Sequence, residues 1–548
     1  MIDKFSLTEL NSELESAIRN FEQYHADMEM YRKYYMYSAF YPKKSGQSPD
    51  KSELKINLLR VFADKLINYT SGFPNIKVPT PAAEKQAREA ASIREKILYG
   101  VHEKSKTKML QKQWAKDVGV RSVAVAETTF NLKKRCVEVK RYDPRFVFWQ
   151  LSNDNDRSVV AFWAVFPITK EECLKKYGFT PDGNSIGFTF PSSANPLLAS
   201  IDGKDWFLQA IRWDENTRVS WVGNRIIEEP HNHQMGIIPV DICMPFDDQE
   251  VSGFGSFYLE PLIAPQAELN HIVKQRANIA QRMGNPVVWG RGIHTRQFDD
   301  VKQNLSKQGG GFVGLKQTGE LGLLQVNDVK LLGEHASDIV VNMMRLSGFS
   351  AAAFGESVGA NTSGDALGMY FTPTQRLIED QNIAWAAFYK SINAKILRLY
   401  DNFLKTNETV QLSGFSPRGT VLTAGEGDDK DYQSGGFQIG FDKNVIQGNY
   451  HSEVSFPNVT PKNEVAEKKF WIEAANMKII SRTTAYENIG LDSPEDELAL
   501  LTQEQQEPAL NPQGTQQMMD AATKAGQLSA PGGLLGVPSP TPPVQNEV

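Results

Sequence analysis

The chain has 548 residues, 41% hydrophobic and 23% charged, which at about 150 residues per domain is core enough for three or four domains. Its 59 Lys+Arg against 65 Asp+Glu leave a net charge of −6. That excludes a generally basic nucleic-acid coat or an anionic-membrane binder, though not DNA held in a channel, where local sign and geometry decide.

Ser6-Leu7-Thr8-Glu9 fits a capping box. Leu7, Leu10, Leu14, Ala17, Phe21, Tyr24, Met28 and Tyr31 follow at 3–4 spacing, one helix whose single apolar seam should dock on its own domain. Residues 35–50 read as a loop. Residues 54–69 read as a helix stopped by Gly72 and Pro74. The charged, Ala-rich stretch 82–113 reads as a long exposed helix or helix pair. From 118 to 168 the pattern turns β-branched and aromatic, with a turn at Asn153-Asp154-Asn155-Asp156. Short strands continue through 206–221 to Ile237-Ile238-Pro239-Val240, so the first ~245 residues are expected to be α+β.

Residues 261–283 form a long helix by period (Leu262, Ile263, Leu269, Ile272, Val273, Ile279), stopped by Gly284-Asn285-Pro286. A short β-like excursion runs from Val287-Val288-Trp289 to Leu323-Leu324-Gln325-Val326, and a second helix at 329–347 returns from it. The small-residue stretch 348–372 reads as too flexible to be a core element. Pro373 is expected as the first residue of a long helix with Leu377, Ala384, Phe388, Ile392, Ile396, Leu399 and Phe403 on one face. Residues 406–456 read as β-rich around a polar loop at 416–436. Helix starts at Thr460-Pro461, Ser481-Arg482-Thr483-Thr484 and Ser493-Pro494-Glu495 mark a small helical module. From 508 the Pro, Gly, Gln, Ser and Ala composition is that of a disordered tail.

Signals of chemistry are sparse. Cys136, Cys173 and Cys243 show no CxxC or Cys/His spacing, against a disulfide framework or zinc site and in favour of a reducing compartment. Residues 159–167, the longest strongly apolar stretch, fall far short of the ~18 that a membrane helix needs. MIDKFSLTEL shows no secretory pattern. No phosphate-binding GxxxxGK[ST] occurs; Gly203-Lys204 is followed by Asp205. Gly253-Phe254-Gly255 is a fragment of a dinucleotide fingerprint without its third glycine. GxSxG around Ser185 and Ser357 sits in Gly-rich loops, not at a strand-to-helix elbow. HExxH is absent. His231-Asn232-His233 reads as a polar turn, with a metal-dependent nuclease as the alternative. Asp428-Asp429-Lys430-Asp431 lacks the calcium-loop Gly and Glu, and Glu495-Asp496-Glu497 suits a first helical turn. Neither a cofactor nor enzymatic activity is expected. Between 270 and 320, Lys274, Arg276, Arg282, Arg291, Arg296, Lys302, Lys307 and Lys316 face only Asp299, Asp300 and Glu320. This basic excess is either a solvated helix face or a contact for nucleic acid or an acidic partner.

The element order, with its local motifs, resembles that of tailed-bacteriophage portal proteins, the head-to-tail connectors of the capsid vertex. The motifs are Asn57-Leu58-Leu59-Arg60-Val61-Phe62-Ala63-Asp64-Lys65 leading to Tyr69-Thr70-Ser71-Gly72-Phe73-Pro74, then Tyr142-Asp143-Pro144-Arg145-Phe146 and Gly236-Ile237-Ile238-Pro239-Val240. Gly253-Phe254-Gly255-Ser256 with Leu262 and Asn270 is similar to the entry of the stem, and Ser363-Gly364-Asp365-Ala366-Leu367 to the junction of tunnel loop and tunnel helix. The resemblance spans residues 50–507; residues 191–203 have no counterpart in the family, and the polar loop is peculiar to this chain.

It implies an α+β portal fold: wing 1–250, stem helix 251–284, β-containing clip 285–328, second stem helix 329–347, tunnel loop 348–372, tunnel helix 373–405, wing return strands 406–456, α-helical crown 457–507 and tail 508–548. It implies a homododecameric ring at the virion's portal vertex, assembled in the host cytoplasm, through which double-stranded DNA is packaged and ejected. The partners implied are that DNA, held non-specifically, the large terminase, a head-completion or tail adaptor protein, and a capsid or scaffolding protein, with no membrane. Phe349, Phe354, Asn361, Ser363 and Gly364 would belong to the DNA-tunnel loop, and the eight basic residues to a clip and stem surface meeting DNA or an acidic adaptor. Another virion ring or tail adaptor is the alternative within the virion. Deleting 509–548 is expected to leave assembly intact, and loss of rings in electron micrographs of that truncation refutes this.

Overall fold

The computed structural model describes residues 6–36, 56–80, 85–152, 158–181, 206–223, 225–246, 254–284, 288–291, 320–323, 329–355, 364–405, 408–415, 436–456 and 464–477, with single residues at 479, 482, 485 and 489. The chain divides into two units, Met1–Ser416 with Gly436–Lys462, and Pro417–Gly435 with Asn463–Val548. Helix and strand are mixed, as an α+β reading requires.

In the first unit, α1 (Leu7–Tyr35) opens on the expected capping box: Ser6 Oγ accepts from the Glu9 N–H, and the Glu9 carboxylate accepts from the Ser6 N–H at 2.8 Å. Its seam docks within the unit, and Phe21 meets Trp149 edge-on at 4.6 Å and Phe254 at 4.9 Å. Helix α2 (Leu58–Thr70) begins later than its apolar period suggests, because the Asn57 side chain caps it by accepting from the Arg60 N–H. The stretch 82–113 is the helix pair of the two forms expected, α3 (Lys85–Lys104) and α4 (Thr107–Arg121), parted at Lys106 with its left-handed φ of 54°, but it is not exposed throughout. Ile97, Leu98, Val101, Trp114 and Val118 are buried; most of the charges occupy the outer faces, with Arg94 and Asp117 buried among them.

The strands form two main antiparallel sheets. In one, β2 (Ala124–Asn131) lies between β3 (Cys136–Tyr142) and β9 (Val240–Cys243). The other is a five-stranded meander of β4 (Val147–Leu151), β5 (Val159–Thr169), β6 (Trp206–Asp214), β7 (Thr217–Val222) and β8 (Arg225–Asn232), with α5 (Lys170–Tyr177) following β5. The strand expected over 237–240 starts only at Val240. Pro239 has no N–H to give a ladder, though its carbonyl accepts from the Thr128 N–H at 2.8 Å. Two-stranded sheets join β1 (Asn75–Lys77) to β14 (Glu453–Ser455) and β12 (Val410–Phe415) to β13 (Gly436–Phe441). Gly414 lies so close to α3 that a Cβ there would stand 3.0 Å from Gly100 Cα.

Helices α6 (Glu260–Gly284) and α7 (Val329–Leu346) flank a ribbon of β10 (Val288–Arg291) and β11 (Glu320–Leu323). The 40-residue α8 (Gly364–Phe403) then runs through the core with Trp385, Tyr389, Ile392, Ile396 and Tyr400 at 0% exposure. It starts before Pro373, which lies inside it. The second unit contains α9 (Glu464–Asn476). Residues 37–50 of the loop expected over 35–50, the turn at 153–156, residues 416–435 of the polar loop and the tail lie outside the described residues, whereas Tyr35 closes α1 and Gly436 opens β13.

Two buried histidines set an acid limit. His102 Nε2 donates to Asn393 Oδ1 at 2.8 Å, and Nδ1 accepts from the Thr107 hydroxyl at 3.1 Å. Burial pushes His102 and His25 each down to about 4. The unfolded chain therefore takes up more protons between pH ~6.5 and ~4, and these groups' contribution, complete above ~6.5, is lost as pH falls at up to ~1.4 kcal/mol per pH unit for each histidine. Urea titrations from pH 7 to 4.5 should show a shallower decline for His25→Phe than for wild type; identical slopes refute the assignment.

Candidate functional site: the helical hairpin and the segment behind it

The α6–α7 hairpin is apolar at its root and mixed beyond, where Leu331 is exposed among polar side chains. Leu262, Leu269 and Ile272 on α6, and Ile339 and Met343 on α7, are buried, whereas Lys274, Gln275 and Arg276 are exposed. Polar side chains clamp the root. Gln266, at 0% exposure, accepts from the Leu58 N–H at 2.8 Å and donates to the Ile56 carbonyl at 2.7 Å. Asn270 Oδ1 accepts from the Ile56 N–H at 3.0 Å, and the Tyr258 hydroxyl donates to the Ser347 carbonyl at 3.0 Å. The resemblance drew attention to Asn270 but not to Gln266 or Tyr258. The available signal was the polar pair at i, i+4 interrupting an otherwise apolar face.

The described part of the basic region is locally balanced. Arg276 lies over Gly333, where a Cβ would stand 3.6 Å from the guanidinium carbon. The two line a surface cleft of about 580 Å³ with Lys330, Glu334, Ser337 and Asp338, so cations and carboxylates alternate in it. Lys274 and Arg276 are exposed on α6, and exposed Arg291 on β10 stands opposite Glu320 of β11. Arg282 belongs to the end of α6, with its side chain outside the described set. Arg296, Lys302, Lys307 and Lys316 lie outside the described residues.

The segment after α7 corrects the expectation of a flexible loop. Phe349, 3% exposed, stacks on Tyr69 at 5.8 Å, and Phe354 meets Phe62 edge-on at 5.5 Å. The turn over Ala351–Phe354 is a 3₁₀ helix held by Lys65, whose ammonium donates to the Ala353 carbonyl at 2.7 Å and lies 5.5 Å from the Phe354 ring. The Ser350 N–H donates to Thr374 Oγ1 at 2.9 Å. Small residues here serve backbone shape: Gly348 and Gly355, at φ 76° and 80°, bracket the turn. Phe349 and Phe354 are therefore core anchors, Gly364 opens α8, and Asn361 and Ser363 lie outside the described residues.

Of the other candidates, those within the described residues are mostly taken up by packing and hydrogen bonds. His231 and Asn232 are the last residues of β8, not a turn. His233 uses both ring nitrogens, accepting from the Met235 N–H at 3.2 Å and bonding the Asp214 carbonyl at 3.0 Å, and burial lowers its pKa. Among the described residues, no three His, Cys, Asp or Glu side chains are grouped to hold a metal ion. Gly255 fits against Ser122, where a Cβ would meet Oγ at 2.6 Å, and Phe254 stacks on Tyr24. Both GxSxG serines and the acidic stretch 428–431 lie outside the described residues. Thr107, His102 and Asn393 make a hydrogen-bonded row suggestive of a nucleophile triad, but none is more than 2% exposed, so no substrate reaches it. No described helix is long and apolar enough to cross a membrane.

No family model matches the chain, and neither does any curated protein. Phe349→Ala is expected to lower unfolding free energy by about 3–5 kcal/mol, the cost of emptying an aromatic core site, whereas Lys274→Gln stays within about 0.5 kcal/mol. Denaturant midpoints test this; a mild Phe349→Ala returns that ring to the surface.

Proposed function

We propose that the chain is the subunit of a portal ring, a homododecamer at a virion vertex that conducts double-stranded DNA and docks a terminase and head–tail adaptor proteins. The observation that carries the reading is the hairpin. Antiparallel helices α6 and α7, with a short β-ribbon at their far end, leave an α+β body and return to it, clamped at the root by Tyr258, Gln266 and Asn270. After the hairpin the chain crosses the core as α8, and β14 pairs with β1 near the start of the body. In this reading the hairpin is stem and clip, and the body is the wing.

Two further features support it. The net charge of −6 suits a conduit that must release DNA. The balanced cleft at Arg276 likewise offers no strong phosphate hold. Of the pair behind the nuclease alternative, His233 has both ring nitrogens hydrogen-bonded, whereas His231 is exposed. Electron microscopy of the purified chain should show twelvefold rings with a central channel; a persistent compact monomer under assembly conditions ends the proposal.

A further inference from the structure

Helix α4 carries a face that neither the core nor the portal reading uses. Its exposed positions are Lys108, Met109, Lys112, Gln113 and Lys116. The lysines recur at i, i+4 and i+8, hence in line with a rise of about 6 Å between neighbours. The helix's one acid, Asp117, is turned inward, bonded by Arg121 at 2.7 Å and by Arg141. Exposed Lys104 and Lys106 extend the row before the helix begins, and from 103 to 116 five lysines stand against the single acid Glu103. This concentration occurs in a chain of net charge −6.

The row is oriented at both ends. Lys116 lies 5.5 Å from the centre of the Tyr35 ring, which Arg60 also approaches at 5.5 Å. The Tyr35 hydroxyl is fixed by Asp64 at 2.7 Å. Lys108 stands 5.9 Å from the Phe415 ring. Asp64 also pairs with Arg60 at 3.5 Å, so Lys116 is held over the ring beside a cation that already has its counter-ion.

We infer that the exposed face of α4, through Lys108, Lys112 and Lys116, is a docking surface for the phosphate backbone of double-stranded DNA. An acidic protein is the poorer fit. Met109 is the only apolar side chain among the exposed positions of α4, with exposed Phe415 beside Lys108 at one end, so the face is mainly cationic; protein interfaces are built around an apolar core, whereas DNA interfaces are polar and basic. Three ammonium groups spread over about 12 Å match a regular line of phosphates, of which a duplex presents about seven in that length. Such contacts position without reading sequence. The inference does not rest on the ring reading: a monomer with this face binds DNA, and a ring without it does not bind there.

The test is fluorescence anisotropy of a labelled 30-base-pair duplex with the full chain from 50 to 200 mM salt. The variants are K108Q/K112Q/K116Q and, as an equal-charge control, K170Q/K175Q/K176Q, which neutralises exposed lysines of α5. Three released counterions predict a log–log salt slope shallower by about 2.7 in the α4 variant, so wild type loses about 40-fold more affinity than that variant across the range. The control should keep the wild-type slope. An unchanged slope in the α4 variant, or an equal change in both variants, overturns the inference. So does poly-glutamate binding the α4 face more tightly than the duplex does, which assigns the face to an acidic protein.

Discussion

Helix α8 places Tyr389, Ile392, Asn393, Ile396 and Tyr400 where no solvent reaches them, and Asn393 and Tyr389 so placed find their partners inside. Asn393 finds His102 on α3 and Ser452 just before β14. That chain of bonds ties the N-terminal helices to the chain's return, and burial keeps its imidazole neutral. Tyr389 adds a bond to buried Gln111 on α4, and Lys395 pairs with Asp241 on β9 at 2.7 Å. The helix is thus fastened to both the helical layer and the smaller main sheet.

The hairpin and the segment behind it depend on this arrangement. Thr374 and Leu377, in the early turns of α8, receive Ser350 and the close approach of Gly348. With Lys65 and Tyr69 of α2 on the other side, the 349–354 turn is held between two helices that are themselves in the core. Tyr258 then links the start of α6 to the end of α7. The root of the hairpin is consequently rigid for reasons outside the hairpin. Its outer half exposes Arg276 and Lys274, where a change of charge costs folding less than at the buried root.

Much of the fold was legible in the residues. The Ser6 capping box, the seam from Leu10 to Tyr31, and the two hairpin helices each follow from short-range spacing, and the structure places them there. The candidate site was less legible. Glycine and alanine around 349–354 read as flexible, yet the aromatics among them had distant partners in Tyr69 and Phe62. Pro373 looked like a helix start, and Gly364 opens the helix instead. The charge of 82–113 hid the burial of Ile97, Leu98 and Val101 on the inner face. His231 and His233 suggested ligands until Met235 and Asp214 took the ring nitrogens of His233.

By itself the sequence determined what is decided within about one helical turn: where seams run, which side chains cap a helix, where glycine and proline interrupt, and which chemical motifs are missing. Tertiary structure alone decided which polar residues are buried and with whom, as with Gln266 against Ile56 and Leu58 or His102 against Asn393. It also decided that a row of lysines on α4 faces water while Asp117 faces arginines. The reason is range. Capping and helical period act between neighbours in the chain, whereas burial and ion pairing act between residues that only folding brings together.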